Sequence, residues 1–193
     1  MKSELDGETI VPFIADIFER RGAEAYLGEP VSLSQHMLQA ARLAEQEGAP
    51  DELVVAALLH DIGHFTSAFG TYTVDDSADR HHDEAGAAVL EPFFPPVVTA
   101  CARLHVAAKR FLCATDASYF GQLSPASVHT LSLQGGPMND EEIAQFRANP
   151  FHQAAVRVRR FDEASKVPGM PTRAFRDYVP LLESVVLRQA GAV

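Results

Sequence analysis

The stretch 57-ALLHDIGHF-65 ends an apolar run with two imidazoles and a carboxylate. His60 and Asp61 stand side by side, and His64 follows one helical turn later. Leucine and alanine would pack here without losing hydration, whereas a buried histidine or aspartate needs a partner that offsets its desolvation. The stretch therefore predicts a helix whose end lies in the protein interior and carries functional polar groups.

The composition favours an all-α protein with one core. The chain has 193 residues, of which 47% are hydrophobic, so it can bury a sizeable core. Clusters of alanine and leucine recur at helical spacing, and no segment alternates apolar and polar residues as a half-buried strand would. We therefore expect a single domain over residues 1–193.

Charge and cysteine content limit the partners and the compartment. The formal net charge of -10 repels polyanions, and no basic stripe interleaved with aromatic residues offers a nucleic-acid track. The longest apolar run, 53-LVVAALL-59, is too short to span a bilayer, and the N-terminus has no continuous apolar segment. Cys101 and Cys113 are too few for a disulfide framework. These features predict a soluble, cytoplasmic protein that binds neither nucleic acid nor a membrane, and they leave the oligomeric state open.

Helical periodicity puts histidine or aspartate on the inward side of five segments. The predicted helices are 7–22, 33–48 after a capping serine, 50–63, 81–94, 95–112 and 149–166, with loops at 66–80 and 123–142. His36, for example, shares a helix face with Leu33 and Ala40, and Asp162 shares one with Ala155 and Val158. Each such residue alone would be a hydrogen-bonded core histidine or a capping aspartate.

One small core cannot bury this full set of inward polar residues unless they share a common partner. A metal ion is the cheapest partner, and imidazole with carboxylate but no thiolate suits iron, manganese or zinc better than calcium. The candidate ligands are His36, His60, Asp61, His82, His105 and Asp162. Their number suggests two ions. His36, His60, Asp61 and Asp162 would complete one, His82 and His105 would supply the second, and Asp61 is free to span them.

The order H…HD…H…H…D resembles the HD-domain superfamily, whose members are helical bundles with an H…HD…D metal site. The additional histidines resemble those of its di-iron oxygenase branch, which includes myo-inositol oxygenase. The likeness is strongest to the PhnZ-type enzymes, which cleave the carbon–phosphorus bond of 1-hydroxyphosphonates, and it covers most of the chain. It is carried by YLGEPVSLSQH (26–36), ALLHDIGH (57–64), HDEAGA (82–87), HVAAKR (105–110), LSPASVHTLSLQGGPM (123–138) and RRFDEASK (159–166).

This resemblance implies a role for each matching position. The six candidate ligands would hold a mixed-valent Fe(II)/Fe(III) pair with Asp61 as the bridge, and O2 would be the co-substrate. His82 is preferred to His81 as the ligand because Gly86 follows it at the expected distance. Tyr26 and Glu29 would form a lid that recognises a substrate amine. The phosphonate contacts would be His64, Lys109, Ser127, Thr130 and Gln134, of which His64 and Lys109 are expected to be catalytic. The loop 66–80 departs from the family pattern.

The implied reaction is the O2-dependent conversion of (2-amino-1-hydroxyethyl)phosphonate, a small organophosphonate, to glycine and phosphate. One alternative keeps this chemistry but uses the N-trimethylated substrate, giving glycine betaine; Phe65, Phe69 and Tyr72 could then build an aromatic cage. A second alternative is an HD-type metal-dependent phosphohydrolase, which would leave His82 and His105 without a function. A regulatory domain with a vestigial site is disfavoured because no ligand position is degraded.

Overall fold

A computed structural model describes residues 5–26, 28–66 and 78–187, and these residues form a helical bundle. The α-helices are α1 (Ile10–Arg21), α2 (Leu33–Gln46), α3 (Asp51–Leu59), α4 (Gly63–Thr66), α5 (His82–Leu90), α6 (Pro96–Thr115), α7 (Pro125–Leu133), α8 (Asp140–Ala148), α9 (His152–Ala164) and α10 (Val179–Val185). Short 3-10 helices cover Phe120–Gln122 and Phe175–Tyr178. The described residues contain no strand beyond one isolated bridge between Ala25 and Ser32. The predicted all-α class is confirmed.

Helix α3 is the centre of the core. Every residue from Leu53 to Leu59 is buried, because the helix is apolar on all sides and can be stable only when other helices surround it. Helices α2, α6, α9 and α10 pack against it. Asp51 and Glu52 lie in its first turn, where the helix dipole favours acidic side chains. The helix therefore carries the His60–Asp61 pair from the surface into the interior.

Helix α6 is the second axis of the bundle and packs against α3, α5 and α9. Helix α2 closes the remaining side by packing on α3 and α9. Its start is fixed by a capping box in which Ser32 and Gln35 each accept a hydrogen bond from the backbone of the other. Five helices, α2, α3, α5, α6 and α9, thus surround one interior point, as the inward-facing polar residues predicted.

Helices α4 and α5 approach each other through two glycines. A Cβ atom on Gly63 would lie 1.7 Å from the carbonyl oxygen of His82 and 2.7 Å from the backbone nitrogen of Gly86. A Cβ atom on Gly86 would lie 3.0 Å from the backbone nitrogen of Gly63. Only glycine at position 63 allows this contact. The contact holds the first residue of α5, His82, against the end of the HD stretch.

The largest error of the sequence prediction lies in the segment 123–142, which is not a loop. It contains α7, because Ser124 accepts a hydrogen bond from the Ser127 N–H and Pro125 occupies the first helical position. Gly135 and Gly136, both with positive φ, follow the helix. The predicted helix 81–94 is also shorter, since α5 ends at Leu90. Most of the predicted loop 66–80, including Phe69 and Tyr72, lies outside the described residues.

No helix in the described parts of the chain has the length and apolar character needed to cross a membrane.

Candidate metal centre and substrate pocket

The six predicted ligands come from the five central helices and their ends, and they meet in the protein interior. All six side chains are buried: His36, His60, Asp61, His82, His105 and Asp162. The four imidazoles form two pairs. The Nε2 atoms of His36 and His60 are 3.1 Å apart, and those of His82 and His105 are 2.9 Å apart.

Backbone carbonyls fix the tautomer of three of these histidines. The Nδ1 atoms of His36, His60 and His105 lie 3.0, 2.8 and 2.7 Å from the carbonyl oxygens of Ser165, Ala57 and Ala102. Since a carbonyl oxygen only accepts, Nδ1 carries the proton and Nε2 of the neutral ring keeps a lone pair. The Nε2 lone pairs of His36 and His60 therefore face each other across 3.1 Å. Such an arrangement is stable only with a cation between them.

A metal ion suits this position better than a proton does. Burial lowers the pKa of His60 to about 4, although Asp61 and Asp162 act in the opposite direction. Burial also lowers the pKa of His82 well below its usual value. Burial acts in the same way on His105, but the hydrogen bond and charge of Asp61 outweigh it and raise that pKa. His60 in particular stays unprotonated at neutral pH, which leaves its Nε2 lone pair available to a metal.

Asp61 connects the two imidazole pairs. Its Oδ2 atom lies 3.4 Å from His36 Nε2 and 3.5 Å from His60 Nε2. Its Oδ1 atom lies 3.6 Å from His82 Nε2 and 3.3 Å from His105 Nε2. Each carboxylate oxygen thus faces a different pair, and the structure offers two potential metal-binding groups that share Asp61. This is the arrangement that a carboxylate bridge between two ions requires.

Asp162 belongs to the first of these groups. Its Oδ1 atom lies 3.5 Å from His36 Nε2 and is buried without a hydrogen-bond partner among the residues that the structure describes. Its Oδ2 atom accepts a hydrogen bond from Arg159, whose Nε donates to the hydroxyl of Tyr119 over 2.8 Å. Burial raises the pKa of Asp162, but Arg159 and the imidazoles outweigh it and lower that pKa well below the usual value. An ionised, buried oxygen with no donor fits a metal ligand.

The structure distinguishes the two adjacent histidines at the start of α5. The side chain of His81 is 70% exposed, and its φ of 50° places it in the left-handed region just before the helix. The side chain of His82 is buried and faces His105. His82, and not His81, lies in the cluster.

Tyr26 and Glu29 lie closer to the centre than a surface linker would. The Tyr26 ring stacks on His36 with centroids 4.3 Å apart, and its hydroxyl donates to Asp61 Oδ2 over 2.8 Å. Burial and the charge of Asp61 raise the pKa of Tyr26 well above its usual value, so the hydroxyl keeps its proton. Glu29 Oε1 accepts a hydrogen bond from Ser124 and lies 3.5 Å from Lys166 Nζ.

One pocket opens beside Asp61 and Asp162, and all seven predicted substrate contacts line it. They are Tyr26, Glu29, His64, Lys109, Ser127, Thr130 and Gln134. Lys109 Nζ donates to Thr130 Oγ1 over 2.8 Å, and Gln134 Oε1 has no hydrogen-bond partner among the described residues. Burial, followed by the charge of Arg159, lowers the pKa of Lys109 to about 7. The cavity measures ≈ 20 Å³, about the room that one water molecule needs. Side chains of the pocket must therefore move before a larger ligand enters.

The sequence prediction missed the polar face of α9 beyond Asp162. Arg159, Glu163 and Lys166 also line or support the pocket. Arg159 donates hydrogen bonds to Asp162 and to Glu163. Lys166 Nζ donates to Glu163 Oε2 over 3.0 Å. The signal was present, because Arg159, Asp162, Glu163 and Lys166 follow one another at the spacing of one helix face.

Comparisons with known proteins agree with this geometry. The HD-domain family profile matches residues 33–118, a range that includes every cluster residue except Asp162. The chain is 55% identical over 190 residues to a [1-hydroxy-2-(trimethylamino)ethyl]phosphonate dioxygenase (glycine-betaine-forming) from Leisingera caerulea, covering 98% of this chain and 97% of that protein. It is 41% identical over 183 residues to a hydroxymethylphosphonate dioxygenase from Gimesia maris, covering 94% of this chain and 90% of that protein.

Proposed function

Because this chain belongs to the HD-domain phosphonate dioxygenases, we propose that it uses O2 to cleave the carbon–phosphorus bond of a 1-hydroxy-2-aminoethylphosphonate. The observation that supports this proposal most directly is the arrangement of two imidazole pairs around Asp61. They lie beside a pocket that contains a buried lysine. The substrate gives one carboxylate and one phosphate, and the two atoms of O2 balance the oxygen gained by these products. The products are glycine betaine from the trimethylated amine and glycine from the free amine.

We propose that the metal is iron and that two ions bind. His36, His60, Asp61 and Asp162 would hold one ion, and Asp61, His82 and His105 the other. When bound, an Fe(II)/Fe(III) pair supplies O2 activation and one-electron oxidation at C1. Because the second group contains fewer protein ligands than the first, an ion held there would be able to bind substrate or O2 as well. Imidazole and carboxylate donors without a thiolate support this choice of metal.

The protein's own part in the reaction is to bind and orient the substrate and to exclude water. Lys109 would pair with the phosphonate, and Ser127, Thr130 and Gln134 would supply neutral hydrogen bonds to it. His64 lies on the same wall and would contact the phosphonate from the side of Asp61. Tyr26 covers Asp61 and would have to move outward for the substrate to reach the centre.

The trimethylated amine is the better-supported substrate. The 55% identical relative is named for that compound. Glu29 Oε1 already accepts a hydrogen bond from Ser124, and a quaternary ammonium needs the charge of Glu29 but offers no N–H for it to accept. The free amine, which the sequence alone favours as the substrate, requires the same chemistry. Its turnover stays a prediction that the same assay tests.

Oxygen dependence tests the reaction class. The iron-loaded enzyme is given each hydroxyphosphonate, with and without O2, and phosphate release and O2 uptake are measured. We expect about one O2 consumed per phosphate released and no release without O2. Undiminished phosphate release under strict anaerobiosis would contradict an oxygenase and point to hydrolysis instead.

Replacing Glu29 tests the amine subsite. Glu29→Ala should lower kcat/KM for both aminated substrates relative to hydroxymethylphosphonate, which has no amine. Glu29→Gln, which keeps the shape and removes the charge, should have the same effect. If neither variant changes any of the three values, Glu29 does not bind the amine.

The thiols of this chain are consistent with a cytoplasmic location. Cys101 is buried and Cys113 half-buried, and neither forms a disulfide. Two unpaired thiols suit a reducing compartment, so we propose the cytoplasm as the place where this enzyme acts.

A further inference from the structure

A lysine occupies the position beside Glu29 at which the substrate's cation is expected. Lys166 Nζ lies 3.5 Å from Glu29 Oε1, and the two side chains are 8% and 7% exposed. Lys166 Nζ also donates to Ser127 Oγ over 2.8 Å and to Glu163 Oε2 over 3.0 Å. The Lys166 ammonium therefore stands between the proposed amine subsite, at Glu29, and the proposed phosphonate subsite, at Ser127.

Lys166 is the cation that neutralises Glu29. Arg159, a second buried cation that lies on α9, is engaged by Asp162 and Glu163. Among the residues that the structure describes, Lys166 alone places a positive charge within 4.0 Å of the Glu29 carboxylate. A substrate cation that approaches Glu29 must therefore compete with Lys166.

Lys166 can release Glu29 without becoming an uncompensated buried charge. Its ammonium has three donors, and two of its other acceptors, Ser127 Oγ and Glu163 Oε2, are already within hydrogen-bond distance. The phosphonate would bring further negative charge to the Ser127 side. The lysine therefore has favourable partners both before and after a substrate cation takes its place at Glu29.

We propose that Lys166 is an internal counter-ion that sets how strongly this enzyme selects cationic phosphonates, an inference that rests on the proposed function. In the free enzyme Lys166 pairs with Glu29. When a zwitterionic substrate binds, its ammonium group takes Glu29, and Lys166 turns toward the phosphonate. A phosphonate without an amine leaves the Glu29–Lys166 pair intact. Lys166 thus weakens a preference for cations that Glu29 alone would make much stronger.

Binding of three matched ligands tests this exchange without turnover. The ligands are 2-aminoethylphosphonate, its N-trimethylated analogue and ethylphosphonate, which lack the 1-hydroxyl and differ only at the amine. Calorimetry on the iron-loaded protein without O2 gives Kd for each. In Lys166→Met the preference for the two cations over ethylphosphonate should rise about tenfold or more, because close charge pairs couple this strongly. Lys166→Arg keeps the charge and should stay within about threefold of the wild type.

Two further variants make the outcome decisive. Lys166→Gln removes the charge but keeps hydrogen bonds to Ser127 and Glu163, so it replaces Lys166→Met if that variant does not fold. Glu29→Gln combined with Lys166→Gln should abolish the preference for cations. An unchanged preference in both neutral Lys166 variants overturns the inference while leaving the proposed function intact. A wild-type protein that binds none of the three ligands overturns the proposed substrate class, and the inference with it.

Discussion

Asp61 has two carboxylate oxygens, and each faces a different pair of imidazoles at 3.3 to 3.6 Å. This division explains why the HD stretch alone is not sufficient for the centre. His60 and Asp61 come from one helix end, but each oxygen needs nitrogen atoms from other helices. The histidines on α5 and α6 supply them for Oδ1, and His36 on α2 joins His60 for Oδ2.

The adjacent histidines at the start of α5 provide a matched pair of variants. His82→Ala removes one nitrogen from the second group and should lower the metal content from about two ions to about one per chain, because too few protein ligands remain there. His81→Ala changes an exposed ring and should leave the content at about two. Elemental analysis of both purified variants measures this. Equal metal loss in the two variants would contradict the assignment of His82.

The pKa of Lys109 predicts how kcat/KM changes on the alkaline side of the pH profile. Burial lowers its pKa to about 7, so in the free enzyme its charge is present below that pH and is lost above it. Phosphonate binding needs the charged form, and kcat/KM should fall about tenfold per pH unit above this value. Lys109→Arg keeps its charge and should remove that fall up to pH of about 9. Profiles of kcat/KM measured for both proteins test this, and the same fall in both would exclude Lys109 as its cause.

At this scale the sequence predicted which ligand side chains lie inside, because their spacing on apolar helix faces indicates burial. It did not predict Lys166 or Arg159. A lysine or arginine in such a pattern is usually solvated. Only the folded structure shows that Glu29, from a distant loop, pairs with Lys166. Helical periodicity describes residues within one helix, so it does not identify a partner of a buried charge that lies far away in the sequence.

The contact between α4 and α5 is the element on which the position of His82 depends. Gly63→Ala would put a Cβ atom 1.7 Å from the His82 carbonyl oxygen, so the two helices must separate. We expect a loss of about 3 kcal/mol or more in the free energy of unfolding, together with loss of the second metal ion.

Gly121→Ala is the control for that substitution. A Cβ atom there meets nothing within 4 Å, so stability should change by no more than about 0.5 kcal/mol. Chemical denaturation of the two variants compares them. A Gly63→Ala protein as stable as Gly121→Ala, with both metals bound, would show that α4 and α5 do not need this contact.

Elements were predictable where one signal dominated. The cap of α2 predicted its start correctly, and the apolar run predicted α3, which ends at Leu59 rather than near Gly63. The segment 123–142 failed because its polar residues, its prolines and the Gly135–Gly136 pair resemble a loop, while the cap at Ser124 is a shorter signal. Since Ser127 and Thr130 lie on α7, their hydroxyls are held by a helix, and Thr130 is positioned to meet Lys109.

At the scale of the whole molecule, we propose that residues 1–193 form a single domain. Helix α3 contacts helices from the first half of the chain and from the last quarter, including α10. A single core of this kind should unfold in one cooperative transition. Metal binds the folded chain, so loading should raise Tm and chelation should lower it. Calorimetry of both forms measures this, and two separate transitions in the metal-free protein would contradict a single domain.

The family order of ligands made the whole-molecule architecture predictable, because six positions on five helices can converge in few ways. The predicted loop 66–80 departs from the family pattern, and most of it lies outside the described residues. The part that Phe69 and Tyr72 of that loop would play in an aromatic cage for the amine therefore stays a prediction.

Two of the imidazoles hydrogen-bond to carbonyl oxygens three residues earlier in the chain, His60 to Ala57 and His105 to Ala102. The protonation pattern of each ring is thus imposed by the helix that bears it, independently of any other element. A nascent chain that has formed only these two helices already presents the correct nitrogen atoms. A metal ion can therefore bind after folding without any rearrangement of hydrogens on those two rings.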